Sequence, residues 1–403
     1  MIAFAADERV MRGFPVPARW RITPANVYTP PFTHWFMQHV REVERTAAVA
    51  AGDGRPSPLP SNHRDLLGTA VRSGDGRRWT LAEMLEATWA DGFIVLHGGR
   101  VVMESYFRGM RADTQHMYQS MSKSLGACVA ANLVERGLMG VEDPLTAHVP
   151  ELVGSGYDGA TVRDLLDMTV GVRFSEEYDD DDSEVARLDR LYGVRPSRSA
   201  DEPGSSYEFA AGTAREGEHG TVFHYVSLNL QVLGWVMERA TGVSVPDLIA
   251  REVWSKLGVE GNAYIALDGA GSAQLEGGFC STLRDLARFG LMLCGGGTID
   301  GRQVVPGSWV DDICRNGDKE ALARADVPES QLMPGASYRD NFWVSQSADH
   351  TAFMCLGIYG QLLYVNREAD LVVAEFSTWP VADDPTLFAH EFHAAESLAQ
   401  LLA

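Results

Sequence analysis

The chain of 403 residues is poor in lysine and cysteine and has no long apolar run. Each shortage excludes something. No stretch of 18 or more apolar residues exists, so no segment is expected to span a membrane. The five cysteines (Cys128, Cys280, Cys294, Cys314 and Cys355) are odd in number, scattered and never in C-x-x-C spacing. That pattern speaks against a disulfide framework or a zinc site. The 11 histidines are also dispersed. His390 and His393 share a helix face but lack a third ligand signal, so they read as surface residues and no metal is expected. Positive charge is short as well: 34 basic residues against 55 acidic ones leave a net charge of −21. Such a balance disfavours nucleic acid and anionic membranes and favours a cationic substrate. The start, Met1 to Arg9, is apolar but meets acids at once. It has neither the basic n-region nor the long h-region of a signal peptide, so a cytoplasmic location is expected.

Only three of the 34 basic residues are lysine, and one of them, Lys123, follows Ser120 by three positions in Tyr118-Gln119-Ser120-Met121-Ser122-Lys123-Ser124-Leu125. Arginine keeps its proton near neutral pH, whereas a desolvated lysine can release it. On a helix Ser120 and Lys123 lie one turn apart on one face. From Leu125 to Leu133 the segment is apolar nearly all round, as in a helix at the centre of a domain. Burial lowers a lysine pKa, and a helix N-terminus favours negative charge on the serine oxygen. Together they make a serine nucleophile with a built-in base. The competing reading has Ser120 as a plain N-cap and Lys123 snorkelling to the surface.

Two further signals weigh against that reading. Tyr225 precedes a helix in Phe223-His224-Tyr225-Val226-Ser227-Leu228. A tyrosine near a cationic lysine has its phenolate stabilised and can carry a proton to a leaving group. In Leu356-Gly357-Ile358-Tyr359-Gly360-Gln361, glycines interrupt two strand-like runs and mark close backbone approach to a ligand. A backbone N–H there, joined with that of Ser120, would form an oxyanion hole. The run Asp179-Asp180-Asp181-Asp182 reads as a solvated loop, since no calcium-loop spacing follows. Trp343 suits either a pocket wall or the core.

Residues 1–62 read as an irregular, Pro- and aromatic-rich wrap. Thr80 and Glu83 form a capping box for a helix to about Trp89. Residues 92–97 and 101–107 form a hairpin across Gly98-Gly99-Arg100. Helices follow at 120–136, from Thr161, at 228–240, 246–257 and 283–294, with a polar, acidic, loop-like stretch at 173–220. Strand character returns at 338–346, 352–358, 361–365 and 371–377, before a helix at 385–402. The expected class is α/β: an antiparallel sheet flanked by helices, built from 63–115 and 282–403, with an inserted helical lobe at 116–281.

These motifs, in this order, resemble the penicillin-recognising serine hydrolases: class C β-lactamases, D-Ala-D-Ala peptidases and family VIII carboxylesterases. The third motif stands here as Cys355-Leu356-Gly357, without the basic residue of that group. A closer resemblance is to the 6-aminohexanoate-dimer hydrolases, carried by Ser-x-Ser-Lys-Ser-Leu at 120–125, Glu177-Tyr178, Asp189-Arg190, Val232-Leu233-Gly234-Trp235, Arg284-Asp285-Leu286-Ala287-Arg288, Gly357 to Gln361 and Ser377-Thr378-Trp379-Pro380. It implies a two-lobed β-lactamase-like fold and a homodimer. It also implies Ser120 as nucleophile, Lys123 and Tyr225 as proton-transfer partners, and the N–H groups of Ser120 and Ile358 as oxyanion donors. Tyr178 would contact the scissile amide and Asp189 the ammonium end of the substrate. Glu276, before Gly277-Gly278, departs from the neutral or histidine residue of that family, and such a change near the substrate would alter specificity.

The expected activity is hydrolysis of small linear amides or esters through an acyl-enzyme, with no cofactor. The rivals are a carboxylesterase with weak amidase or β-lactamase activity and, outside the enzymes, a β-lactam-binding sensor or scaffold.

Overall fold

The computed structural model describes residues 9–199, 202–325, 327–347 and 350–403; the apolar-to-acidic start at 1–8 lies outside them. Its centre is a seven-stranded antiparallel sheet made from β1 (Ala90–His97), β2 (Arg100–Tyr106), β3 (Ser337–Arg339), β4 (Phe342–Gln346), β5 (Thr351–Gly357), β6 (Gln361–Asn366) and β7 (Leu371–Ser377). In space the order is β3-β4-β5-β6-β7-β1-β2, so strands from both ends of the chain meet where β7 pairs with β1. The hairpin β1–β2 turns through Gly98 and Gly99, both at positive φ, as the primed turns require. The expected strand at 338–346 is two strands, folded back at Asp340 and Asn341, which take φ of 52° and 61°.

Five helices frame the sheet and the site: α1 (Met121–Glu135), α2 (Glu184–Tyr192), α3 (Leu228–Thr241), α4 (Leu283–Cys294) and α5 (Pro385–Leu402). Alternate residues of β6 show how its two faces are covered. A side chain at Gly290 of α4 would strike Leu363, while Tyr364 donates to Glu396 of α5 at 2.6 Å. β6 and β7 are therefore buried along their whole length, as continuous apolar runs should be. The capping boxes at Thr80/Glu83 and Thr161/Asp164 both form.

Three readings are corrected. The stretch 173–220 is not all loop: it holds α2, capped by Ser183 and ended by Gly193 in the left-handed conformation, and a further helix at Ser206–Gly212. The N-terminal wrap is not wholly irregular. Thr46–Val49 pairs with Ala263–Ala266 in a four-stranded sheet completed by Phe279–Ser281 and His116–Met117. His390 is not a surface residue: it is buried, accepts from Gly74 N at 2.8 Å, and lies 4.5 Å from the Trp79 ring. Among the described residues no helix is long and apolar enough to cross a membrane.

Candidate active site

α1 begins directly at Ser120, and nearly all of the helix is buried. Its first turn brings Lys123 Nζ to 2.7 Å from Ser120 Oγ. Lys123 is only 1% exposed, so the snorkelling reading fails. The ammonium has a second acceptor, the main-chain oxygen of Glu276, at 2.9 Å. Desolvation brings Lys123 down to about 8, opposed by the charges of Glu176 and Glu276. Burial thus makes lysine a base at mildly alkaline pH, which arginine at this position would not become.

Tyr225 enters from the loop ahead of α3. The Lys123 ammonium lies 5.0 Å from its ring centroid, and both Tyr225 and Ser120 line the large cleft. Burial raises the phenol well above its ordinary range, outweighing the opposing influence of the Ser120 side chain. Tyr225 therefore rests protonated, in contrast to the stabilised phenolate expected from sequence, and of the two side chains it is Lys123 whose pKa is lowered. Trp343 satisfies both of its readings: it is buried, stacks on Tyr225 with ring centroids 6.3 Å apart, and lines the cleft in front of Ser120.

The turn after β5 meets the turn before α1. A Cβ on Gly357 would sit 2.6 Å from the Tyr118 carbonyl oxygen, so only glycine permits this approach. Gln119, just before Ser120, and Tyr359, just after Ile358, take φ of 49° and 64°. Such conformations cost roughly 1–3 kcal/mol each and persist only where surrounding structure imposes them. Gln361 fixes the second turn by donating to the carbonyls of Tyr359 at 3.0 Å and Ser377 at 2.8 Å. Ser120 and Ile358 both line the cavities described next.

Two cavities meet at Ser120. The larger, about 480 Å³, is a cleft walled by Tyr225, Trp343, Leu356 and Trp379. Leu356, next to Cys355, puts an apolar side chain on the cleft wall. The smaller, about 40 Å³, is lined by Asp189, Arg195, Gln274 and Glu276, with Tyr28 and Tyr359 closing it. Tyr178 lines both and donates to Glu176 at 2.9 Å, while the other Glu176 oxygen accepts from the Ser227 main chain.

Asp189 lies in the small chamber but is already paired. Arg195 Nε donates to it at 2.9 Å, and the same guanidinium holds the Tyr178 carbonyl at 2.6 Å and Asp181 at 2.8 Å. Burial still raises Asp189 to about 6, against the pull of Arg195. The run 179–182 is thus partly tied, with Asp181 and Asp182 also held by Arg198. Burial pushes Glu276 up to about 7.

A family model described as Beta-lactamase matches residues 81–396. The chain belongs to the beta-lactamase family. It is a hydrolase of that family, with the β-lactamase-like α/β fold. A 6-aminohexanoate-dimer hydrolase from Paenarthrobacter ureafaciens is 34% identical over 372 residues, which covers 92% of this chain and 90% of that protein. A solved structure from Bacillus anthracis, bearing the provisional name 6-aminohexanoate-dimer hydrolase, superposes with a TM-score of 0.85 at 27% identity, covering 96% of this chain and 98% of its own. A family VIII carboxylesterase shares the fold at a TM-score of 0.56 and 17% identity, over 79% of this chain and 96% of its own.

Sequence reasoning missed Glu176, Arg195 and Gln274. Glu176 adjoined a quoted motif and was not read as a partner of Tyr178. Arg195 and Gln274 sit in no motif at all, and only tertiary contact brings them to Ser120.

Proposed function

We propose that this member of the beta-lactamase family hydrolyses small linear amides or esters through an acyl-enzyme on Ser120, in the manner of a 6-aminohexanoate-dimer hydrolase. The observation that carries the proposal is the 2.7 Å contact between Ser120 Oγ and a fully buried lysine whose pKa is lowered to about 8. Lys123 takes the Ser120 proton as Oγ bonds to the substrate carbonyl. The N–H groups of Ser120 and Ile358 receive the oxyanion. Tyr225, protonated at rest, gives its proton to the departing amine or alcohol as the C–N or C–O bond breaks, and Lys123 restores it. Water then attacks the acyl-enzyme and gives its proton to Lys123, which passes it to Ser120 Oγ as the C–Oγ bond breaks, so that the acid leaves and Ser120 is restored.

Tyr178, Asp189, Glu276 and Trp343 are the substrate-facing residues of this reading. The lobes at 63–115 with 282–403 and at 116–281, a homodimer and a cytoplasmic location complete it. Leu356 puts an apolar side chain on the wall of the large cleft and keeps a carboxylesterase as the second reading.

Labelling with a fluorophosphonate, read by mass spectrometry, should modify the Ser120 peptide. Ser120→Ala should lose both the label and all hydrolysis of p-nitrophenyl esters and 6-aminohexanoate dimer, with its circular dichroism unchanged. A folded variant that keeps turning over substrate would remove Ser120 from the mechanism. Unlabelled, inactive wild-type protein would favour the sensor or scaffold.

A further inference from the structure

A third cavity, of about 420 Å³, shares no lining residue with the two that meet at Ser120. Its walls come from the N-terminal wrap, from the segment between Gly109 and Gln115, and from Tyr264 in the four-stranded sheet. Its charge is the reverse of theirs. Among the described residues, acids without a cation line the large cleft, and Asp189 and Glu276 oppose Arg195 in the small chamber. Here Arg12, Arg41 and Arg111 stand against Glu42 and Asp113, with His39 able to add to the positive side. In a chain of net charge −21, a cavity where cations outnumber acids runs against the overall field.

Two of the three arginines have charge to spare. Arg111 is committed, its Nε and Nη2 donating to Asp113 at 3.0 and 3.3 Å. Arg12 and Arg41 enter no ion pair among the described residues, and Glu42 offsets only one of them. The Arg41 guanidinium lies over the Tyr264 ring, 4.0 Å from its centroid, and that tyrosine is buried. A cation–π contact holds the arginine in place without using its N–H groups. Arg12 sits on a loop closed by Met11 N donating to the Trp20 carbonyl at 2.9 Å.

Neutral donors stand with them. Thr114 Oγ1 accepts from Arg111 N at 3.0 Å, which leaves its own proton to be donated. His39 donates through Nδ1 to the Trp35 carbonyl at 2.7 Å and stacks on the Trp35 ring at 4.1 Å, so Nε2 is its remaining polar atom. A guanidinium presents its N–H groups as a planar fork that fits a carboxylate or a phosphate. The volume falls within the roughly 300–1,000 Å³ of small-molecule sites and far exceeds what a bare oxyanion fills.

We propose that this cavity binds a small polar organic anion, a phosphate monoester or a dicarboxylate, through Arg12 and Arg41. The site is separate from Ser120 and stands whether or not the acyl-enzyme reading does.

The test is calorimetric titration of the whole chain at low salt with glycerol 3-phosphate, glutarate, inorganic phosphate and glycerol. At least one of the two organic anions should bind saturably, and the tighter of them assigns the headgroup. Inorganic phosphate should bind more weakly, and glycerol should not bind. Arg12→Ala and Arg41→Ala should each weaken the organic anion about tenfold, the lower end for a charge-assisted hydrogen bond because both arginines are open to solvent. Arg41→Lys keeps the charge but not the fork and should still lose several-fold. Arg55→Ala removes an exposed charge outside the cavity and should change affinity less than about twofold. Unfolding temperatures equal to that of the unmodified protein show that a loss of binding is local. The proposal is overturned if neither organic anion binds, if inorganic phosphate binds as tightly, or if Arg12→Ala and Arg41→Ala bind as the unmodified protein does. Equal weakening in Arg55→Ala would make the attraction diffuse and overturn it too. Should gel filtration show that Arg12→Ala and Arg41→Ala split a dimer while anion binding is untouched, the cavity is a subunit interface and the proposal fails.

Discussion

In the proposed mechanism two physical demands meet at Lys123. A cation held at full burial is costly, and the protein lowers that cost by letting the group lose its proton at about pH 8 rather than above 10. The same deprotonation supplies the base. Lys123→Arg keeps the charge and most of the volume yet removes the proton acceptor. Turnover of p-nitrophenyl acetate should fall by several orders of magnitude, in line with loss of general-base catalysis together with a misplaced nucleophile. Near-normal kcat in the arginine variant would make Lys123 a structural cation. The pH profile gives an independent reading. With neutral Lys123 as the proposed base, kcat/KM for an uncharged ester should climb as pH rises through about 8 and level off above it, the free enzyme setting the limb. A profile that instead falls through this range would assign the base elsewhere.

Between elements, the working geometry depends on two turns pressed together, that after β5 and that before α1. Gly357→Ala puts a methyl group 2.6 Å from the Tyr118 carbonyl oxygen, so one turn must withdraw from the other. If Ile358 N–H is an oxyanion donor, kcat should fall on the order of a hundredfold, the scale measured for loss of one such donor. Gly68→Ala, where nothing lies within 4 Å, should keep both kcat and Tm. A Gly357→Ala variant with reduced Tm but unchanged kcat would detach this turn from catalysis. The elements bearing these turns were legible in the sequence because each has a strong local signal. α1 is apolar all round, and β5 to β7 are apolar runs punctuated by glycine. α2 was not legible: its exposed acids and arginines mask a short amphipathic face of Val185, Leu188 and Tyr192. The nucleophile, base and tyrosine came from local spacing, whereas the chamber is assembled from segments far apart in the chain. Tyr28 comes from the N-terminal wrap, Arg195 from beyond α2 and Gln274 from beside the four-stranded sheet. No periodicity encodes such a meeting. Tyr28 illustrates it, stacking on Tyr359 at 5.7 Å, one residue from the proposed oxyanion donor.

For the molecule as a whole, the net charge of −21 is not spread evenly with respect to the site. Among the described residues the large cleft is lined by Glu176, Glu177, Asp179, Glu329, Asp383 and Glu391, and by no lysine, arginine or histidine. A cleft with acidic walls and low-dielectric surroundings concentrates its field and draws cations in. Burial and the neighbouring Asp383 raise Glu329 to about 7, so this field should strengthen as pH rises through neutrality and Glu329 ionises. Two electrostatic contributions to a cationic substrate can then be told apart by salt. The long-range field is screened over about 10 Å at 0.1 M salt and about 3 Å at 1 M, whereas a direct contact inside the small chamber is shielded from the solution. At pH 8, raising salt from about 0.01 M to about 0.5 M should lower kcat/KM for an ω-aminoacyl ester several-fold and leave the matching alkanoyl ester nearly unchanged. Any preference for the aminoacyl ester that survives at high salt would mark a direct contact with a buried acid rather than the field of the cleft. If salt erases the whole preference, the recognition is diffuse, and the cleft acids rather than the chamber select the substrate.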